Sequence, residues 1–193
     1  MLKGFQEKSK APPAPLETRP MIQFLKAKNQ ENLIGAEIGV FHGINAFSIL
    51  STLSIKKLFL VDPYILYDEY TDIRAPVFSS IKKDAEQRLA PFQDKISWIA
   101  KKSADAVNDL PGELDFVYID GNHSFKYVLE DIEKYFPKVK KGGIIGGHDF
   151  VFPQTQNLNR FPWWHDVRNA VEKFCTEKNL TFKGDPPDWW IVV

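Results

Sequence analysis

Short apolar runs alternate with amphipathic segments along most of this 193-residue chain. The apolar runs have the length of strands, and the segments between them repeat apolar residues at the spacing of helices. The runs predict strands at residues 34–40, 57–61, 96–100, 114–119 and 143–147. Helices are predicted at residues 21–25, 45–53, 79–89, 105–110, 125–136 and 163–177.

Strands that alternate with helices predict an α/β fold with a mostly parallel sheet and right-handed crossovers. Wholly apolar strands such as Phe116-Val-Tyr-Ile119 indicate a sheet covered by helices on both faces, which is a three-layer sandwich. Near the C-terminus, residues 181–182 and 189–193 predict a closing antiparallel pair. Two long loops, 64–78 and 150–162, are rich in aromatic residues and are candidates to line a small-molecule pocket.

The chain divides into a tail and one domain. Residues 1–19 contain the run Ala11-Pro-Pro-Ala-Pro15, which is typical of extended chain. We therefore expect a flexible tail over residues 1–19 and a single folded domain over residues 20–193.

Composition excludes several classes of partner. Lys and Arg number 25 and Asp and Glu number 25, so no overall positive field attracts nucleic acid. The sequence has no apolar run of the roughly 20 residues that cross a membrane, and we expect no membrane partner. Cys175 is the single cysteine, which excludes an intrachain disulfide and favours a reducing, cytoplasmic location.

The segment Ala36-Glu-Ile-Gly-Val-Phe-His-Gly joins the first strand to a helix through a glycine turn. In open α/β sheets, ligands bind at the carboxyl ends of such strands. Glu37 stands where a dinucleotide-binding motif has its first glycine, so the pattern does not form the usual pyrophosphate cradle. A carboxylate beside the ligand favours a cation, which points to S-adenosylmethionine rather than NAD.

Acidic residues also follow later strands. Asp120 and Asp149 end the fourth and fifth strands, whose carboxyl ends adjoin each other in this topology. Two carboxylates that meet there repel each other unless a metal ion or a proton intervenes. His123 and His148 lie beside these acids, and either imidazole suits a general base for a hydroxyl.

Taken together, the chain resembles the class I S-adenosylmethionine-dependent methyltransferases, and within them the macrocin O-methyltransferase-like group of small-molecule enzymes. The motifs that carry the resemblance are Glu37-x-Gly39-x-x-x-Gly43, Val61-Asp62-Pro-Tyr64, Tyr118-Ile-Asp-Gly-Asn-His123 and Gly142-Gly-Ile-Ile-Gly-Gly-His-Asp-Phe150. The resemblance implies a seven-stranded sheet whose last pair is antiparallel. It also implies a small-molecule hydroxyl as methyl acceptor. We separately expect a homodimer.

The resemblance assigns roles to individual residues. Asp62 is expected to accept hydrogen bonds from the ribose hydroxyls, and Ser103 to contact adenine or to cap a helix starting near residue 104. The full set of cofactor-binding residues predicted is Glu37, Gly39, Val40, Phe41, Gly43, Asp62, Ser103 and Asp120.

A divalent ion is expected on Asp120, His148 and Asp149. An all-oxygen site favours Mg²⁺, whereas the imidazole of His148 shifts the preference toward ions such as Mn²⁺. Asp120, His123 and His148 are the candidate catalytic residues, and the sequence leaves open which histidine is the base.

Two other functions are compatible with the fold class. A methyltransferase-like module that binds the cofactor without turnover keeps the same motifs, because fold does not fix function. A nicotinamide oxidoreductase is disfavoured by the missing glycine pattern.

Overall fold

The computed structural model describes residues 18–65, 75–151 and 163–193, and it gives no side-chain positions for residues 75–79 and 163–164. Of the predicted tail, only Thr18 and Arg19 are among the described residues. Most of the two long aromatic loops lies outside them.

The elements follow one another as the apolar pattern predicts. The strands are β1 (Leu33–Ile38), β2 (Ile55–Val61), β3 (Ile96–Ile99), β4 (Leu114–Ile119), β5 (Val139–Gly147), β6 (Lys183–Asp185) and β7 (Asp188–Val192). The α-helices are α1 (Pro20–Ala27), α2 (Ile44–Thr52), α3 (Ala75–Leu89), α4 (Ser103–Ala106), α5 (Phe125–Tyr135) and α6 (Trp163–Lys178). No described helix is long and apolar enough to cross a membrane.

The strands form one seven-stranded sheet in the order β3-β2-β1-β4-β5-β7-β6. The pairs from β3 to β5 are parallel, and β7 runs antiparallel to both β5 and β6. This confirms the predicted fold, including its C-terminal antiparallel pair. The chain direction across the sheet reverses between β1 and β4, and such a switch point leaves a crevice for a ligand.

The helices cover the sheet in two layers, which completes the three-layer sandwich. One face of the sheet packs against α1, α2 and α3, and the other against α4, α5 and α6. Neighbouring residues of β4 alternate between the two cores: Phe116 and Tyr118 pack on the first layer, and Val117 and Ile119 on the second. Because both faces of the central sheet are buried, its strands contain continuous apolar runs, and these runs are visible in the sequence.

Several predicted boundaries were wrong, including the start of β5, which is Val139 and not residue 143, and the bounds of α4, which are Ser103–Ala106 and not residues 105–110. Strand β1 ends at Ile38 and not at residue 40, because Gly39 adopts a φ of 87° and turns the chain. Helix α3 begins at Ala75, inside the predicted loop 64–78. The sixth strand occupies Lys183–Asp185 rather than residues 181–182, since its register is fixed by the pairing of Asp185 with Asp188.

Candidate functional site: a cofactor cavity beside an Asp–His cluster

A cavity of about 570 Å³ opens at the carboxyl ends of β1 to β4. The loops that follow these four strands form its walls, and helix α5 closes one side. All of the predicted cofactor residues except Gly43 line it: Glu37, Gly39, Val40, Phe41, Asp62, Ser103 and Asp120. This volume lies within the usual range for small-molecule sites.

Asp62 fixes the loop that follows β1. Its Oδ2 accepts hydrogen bonds from the backbone N–H groups of Val40 and Phe41, both at 2.9 Å. Its Oδ1 accepts one from the N–H of Tyr64 at 2.8 Å. Phe41 has a φ of 49°, a left-handed conformation that these bonds help to hold. The carboxylate therefore has a fixed position at the cavity wall, with one of its roughly four lone-pair positions, on Oδ1, left for a hydroxyl group of a ligand.

Glu37 is a fully buried acid in the middle of the sheet. Its Oε1 accepts a hydrogen bond from Nδ2 of Asn45 at 2.8 Å, whereas its Oε2 has no hydrogen-bond partner among the described residues. Burial raises the pKa of Glu37 to about 8. Leaving a buried carboxylate oxygen without a partner is costly, so this atom at the cavity wall is suited to a donor supplied by a ligand.

Two residues have structural tasks that the sequence did not separate from binding. Gly43 has a φ of 70° and precedes α2. A Cβ added at Gly43 would contact Leu89 and Ala85 of α3, and Gly43 does not line the cavity. Ser103 is the first residue of α4, and the N-cap position is taken by Lys102, so the expectation that Ser103 caps this helix was wrong. Ser103 instead hydrogen-bonds to Asp131 of α5.

Three potential ligand atoms converge next to the cavity. One atom each from Asp120, His123 and Asp149 lies within 4.8 Å of the other two. Nε2 of His123 lies 2.9 Å from Oδ2 of Asp149 and 3.6 Å from Oδ1 of Asp120. Nε2 is buried and makes no well-directed hydrogen bond with the described residues, although it is this close to both carboxylates. The contacts are therefore close ion pairs rather than well-directed hydrogen bonds.

The cluster controls the charge of its own members. Burial disfavours the imidazolium of His123, but the carboxylates of Asp120 and Asp149 outweigh it and raise its pKa to about 9. The converse holds for Asp149, where His123 and His148 overcome burial and keep the pKa well below its usual range. In this state, the proton on His123 supplies positive charge that the two adjoining acids require.

His148 lies on the far side of the two acids. Its Nδ1 lies 3.1 Å from Oδ1 of Asp149 and 3.8 Å from Oδ1 of Asp120. His123 lines the large cavity, whereas His148 lines a small neighbouring recess. The compact three-atom cluster contains His123 in the place that the sequence analysis gave to His148, and the role of His148 as a metal ligand stays a prediction.

Sequence reasoning missed four charged residues of the cavity wall, namely Arg19, Lys102, Glu130 and Asp131. Arg19, assigned to the flexible tail, donates from Nη1 to Oδ2 of Asp120 at 2.7 Å and to the hydroxyl of Tyr118 at 3.0 Å. Asp131 of α5 is buried, and burial raises its pKa to about 7. Asp131 could have been found in the sequence, because the apolar spacing of α5 places this charged residue on the buried face. No sequence pattern indicates Arg19.

The strand order and the acids at the strand ends define the fold of class I, Rossmann-like methyltransferases. The chain belongs to the methyltransferase domain family, whose sequence profile matches residues 36–150. The match begins just before Glu37 and ends just after Asp149, so it contains every predicted site residue.

Individual relatives are distant. The chain is 25% identical over 148 residues to the uncharacterised protein R132 of Acanthamoeba polyphaga mimivirus, and the match covers 77% of this chain and 62% of that protein. The chain thus spans less than two thirds of that relative.

Solved structures share the fold at low identity. The O-methyltransferase TomG of Streptomyces achromogenes, solved with S-adenosylmethionine, is 15% identical with a TM-score of 0.62, over 90% of this chain and 78% of TomG. The Podospora anserina methyltransferase PaMTH1, solved with S-adenosylhomocysteine, is 15% identical with a TM-score of 0.61, over 89% of this chain and 75% of its own. Spermidine synthase of Thermotoga maritima, at a TM-score of 0.51 and 14% identity, covers 82% of this chain and 52% of its own. These likenesses show the fold alone.

Proposed function

We propose that the protein transfers the methyl group of S-adenosylmethionine to a hydroxyl group of a small molecule. The observation that carries this proposal is the unpartnered buried oxygen of Glu37 in the same cavity as the fixed carboxylate of Asp62. The cofactor carries an ammonium group that can pair with Glu37 and ribose hydroxyls that can donate to Asp62. That TomG is an O-methyltransferase solved with this cofactor supports the same assignment.

The cofactor residues divide by the part of the ligand they face. Asp62, at the end of β2, accepts hydrogen bonds from the ribose. Ser103 and its neighbours, after β3, contact the adenine. Glu37 and Gly39, at the end of β1, hold the methionine end. The sulfonium methyl group then points toward the end of β4, where Asp120 and His123 stand.

The acceptor hydroxyl lies against the Asp–His cluster. Methyl transfer to oxygen is an in-line displacement, in which an oxygen–carbon bond forms as the carbon–sulfur bond breaks and S-adenosylhomocysteine leaves. The protein aligns the two reactants and removes the hydroxyl proton. His123 is the base we favour because this residue lines the cavity, and His148 is the second candidate. Since the pKa of His123 is raised to about 9, activity through this base increases with pH.

A divalent ion fits the donor set of Asp120, His123 and Asp149. Two carboxylates and one imidazole suit Mn²⁺ better than Mg²⁺, and the undirected Nε2 of His123 is available once its proton leaves. When bound, such an ion lowers the pKa of an acceptor hydroxyl and orients it. We propose this assistance as part of the function, with the three side chains holding the ion. His123 is then a ligand, so His148 is the base in the metal-bound form.

Neutral net charge supports a small-molecule acceptor over nucleic acid. The buried, unpaired Cys175 supports the reducing environment of the cytoplasm.

The test is methyl transfer from cofactor labelled with tritium in the methyl group to a panel of catechols, sugars and other hydroxylated compounds. We expect product with at least one hydroxyl acceptor, and faster transfer with Mn²⁺ than with a chelator present. His123→Gln lowers the rate by about 100-fold or more, as expected for loss of a general base or metal ligand. Bound cofactor without product over the whole panel favours a binding module without turnover.

A further inference from the structure

We propose that Arg19 binds the carboxylate of the amino-acid end of the cofactor. The inference rests on the proposed function, because it assigns one more residue to the same cavity. It concerns a residue just before α1, outside the 36–150 segment that identifies the family.

The guanidinium of Arg19 has donors to spare. Both of its hydrogen bonds to described residues come from Nη1, which serves Asp120 and Tyr118. Nε and Nη2 make no hydrogen bond with the described part of the chain, and the residue lines the cavity. A guanidinium presents its five donors in a planar fork that matches both oxygens of a carboxylate.

The neighbouring acid makes the site suited to a zwitterion. Glu37 and Tyr118 are register partners on the parallel strands β1 and β4, so their side chains leave the same face of the sheet. Arg19 is hydrogen-bonded to the hydroxyl of Tyr118, and it therefore lies one strand away from the unpartnered Oε2 of Glu37. A ligand with a carboxylate alone pairs only with Arg19. A ligand with an α-amino acid end pairs its carboxylate with Arg19 and its ammonium group with Oε2 of Glu37.

Arg19 is not needed to hold α1 in place. Oδ2 of the buried Asp188 accepts a hydrogen bond from the N–H of Met21 at 3.0 Å, and its Oδ1 accepts one from the hydroxyl of Tyr118 at 2.7 Å. Met21, Ile22 and Leu25 are buried in the core beneath the helix. We therefore expect substitutions of Arg19 to fold.

The cavity also offers a matched comparison. Lys102 is the other long cationic side chain in the lining, and it follows β3, three strand positions from β4. It stands at the end of the cavity where the adenine binds, so it is too far to share the carboxylate with Arg19.

The experiment is calorimetric titration of the full chain with two ligands. One is S-adenosylhomocysteine, and the other is 5′-deoxy-5′-(3-aminopropylthio)adenosine, which is the same molecule without its carboxylate. The proteins are the wild type, Arg19→Gln, Arg19→Lys and Lys102→Gln. Circular dichroism and the melting temperature verify that each variant is folded.

We expect wild-type protein to bind S-adenosylhomocysteine about 10- to 100-fold more tightly than the decarboxylated ligand, the usual effect of a charged hydrogen-bonded pair. Arg19→Gln removes most of this preference, and Arg19→Lys restores part of it, because the charge returns without the fork. Lys102→Gln leaves the ratio of the two affinities unchanged.

An Arg19→Gln variant that loses the same factor for both ligands overturns the proposal, since that result is expected of a residue that only shapes the cavity. An unchanged affinity for both ligands overturns it as well. Absence of binding of S-adenosylhomocysteine to the wild-type protein instead contradicts the proposed function itself.

Discussion

At the residue scale, the cavity is organised by acids with very different environments. Glu37 is buried and short of partners, Asp62 is surrounded by backbone donors, and Asp120 is paired with Arg19. Buried acids that destabilise the folded state are typical of binding and catalytic sites. The predictions for Glu37 and His123 follow from this difference.

Glu37→Gln is expected to make the protein more stable and its cofactor binding weaker. The folded pKa of Glu37, about 8, lies above its usual 4.5, so the folded state binds the extra proton between these values. Stability therefore falls as pH rises from about 4.5 to 8, and an amide removes this loss. Chemical denaturation at about pH 9 measures the gain, which we expect to exceed about 1 kcal/mol.

The same Glu37→Gln variant loses affinity for S-adenosylhomocysteine by about 10-fold or more, because the ammonium group loses its anionic partner. Glu86→Gln, an exposed acid of α3, is the control for both measurements. Lower stability together with unchanged affinity contradicts the role given to Glu37.

His123 predicts a stability effect that also falls as pH rises, over a higher pH range than for Glu37. Its folded pKa, about 9, lies above its usual 6.5, so the stability it contributes is complete below about pH 6.5 and disappears as pH rises through 9. In metal-free protein, His123→Gln costs on the order of 3 kcal/mol at about pH 6 and little at about pH 10. Urea denaturation at both pH values measures this difference.

The control for this measurement is His42→Gln, which removes a more exposed pair with Asp84. Such surface pairs contribute roughly 0–1 kcal/mol, so its effect is small at both pH values. A pH-independent cost for His123→Gln contradicts the charge state that we assign to the cluster.

At the element scale, the turn after β1 positions the site. Gly39 has a φ of 87°, and a Cβ there overlaps the backbone of Asp120, so β1 and β4 approach closely where the cavity begins. Because of this close approach, Glu37 of β1 and Asp120 after β4 can contact the same ligand.

Gly39→Ala is therefore expected to destabilise the protein by more than about 2 kcal/mol, through backbone strain and a clash with a backbone that cannot move aside. It also weakens binding of S-adenosylhomocysteine. Gly112→Ala is the matched control, because a Cβ at Gly112 has open space around it. Equal melting temperatures for the two variants contradict the importance of this contact.

Elements and strand-end acids were predictable because burial on both faces makes each strand a continuous apolar run and leaves the polar residue at its end conspicuous. Asp62 and Asp120 were found in this way. Glu37 was found because it stands inside a strand, where a dinucleotide-binding motif has its first glycine, and all three acids line the cavity. Arg19 was not, because its position depends on contacts with Tyr118 and Asp120, about a hundred residues away. The geometry that favours His123 over His148 depends on how the loops after β4 and β5 meet. The spacing of apolar residues carries no information on this.

At the scale of the whole molecule, most of the two loops 64–78 and 150–162 lies outside the described residues. The predicted aromatic pocket from the two long loops falls largely outside them, and it stays a prediction. We propose that a neighbouring copy of the chain supplies a further wall of the acceptor site. We expect a homodimer, and light scattering at micromolar concentration should give twice the mass of one chain. A single-chain mass at high concentration contradicts this expectation.

The central claim is that the cavity at the carboxyl ends of β1 to β4 binds the S-adenosyl cofactor. Calorimetric titration with S-adenosylhomocysteine tests it most directly, with wild-type protein and with Asp62→Ala, which removes the ribose partner. The account predicts micromolar binding at one site per chain and loss of that binding in Asp62→Ala, while Asp109→Ala, an exposed acid paired with Lys101, binds like the wild type. Absence of binding to folded wild-type protein, or full affinity in Asp62→Ala, contradicts it.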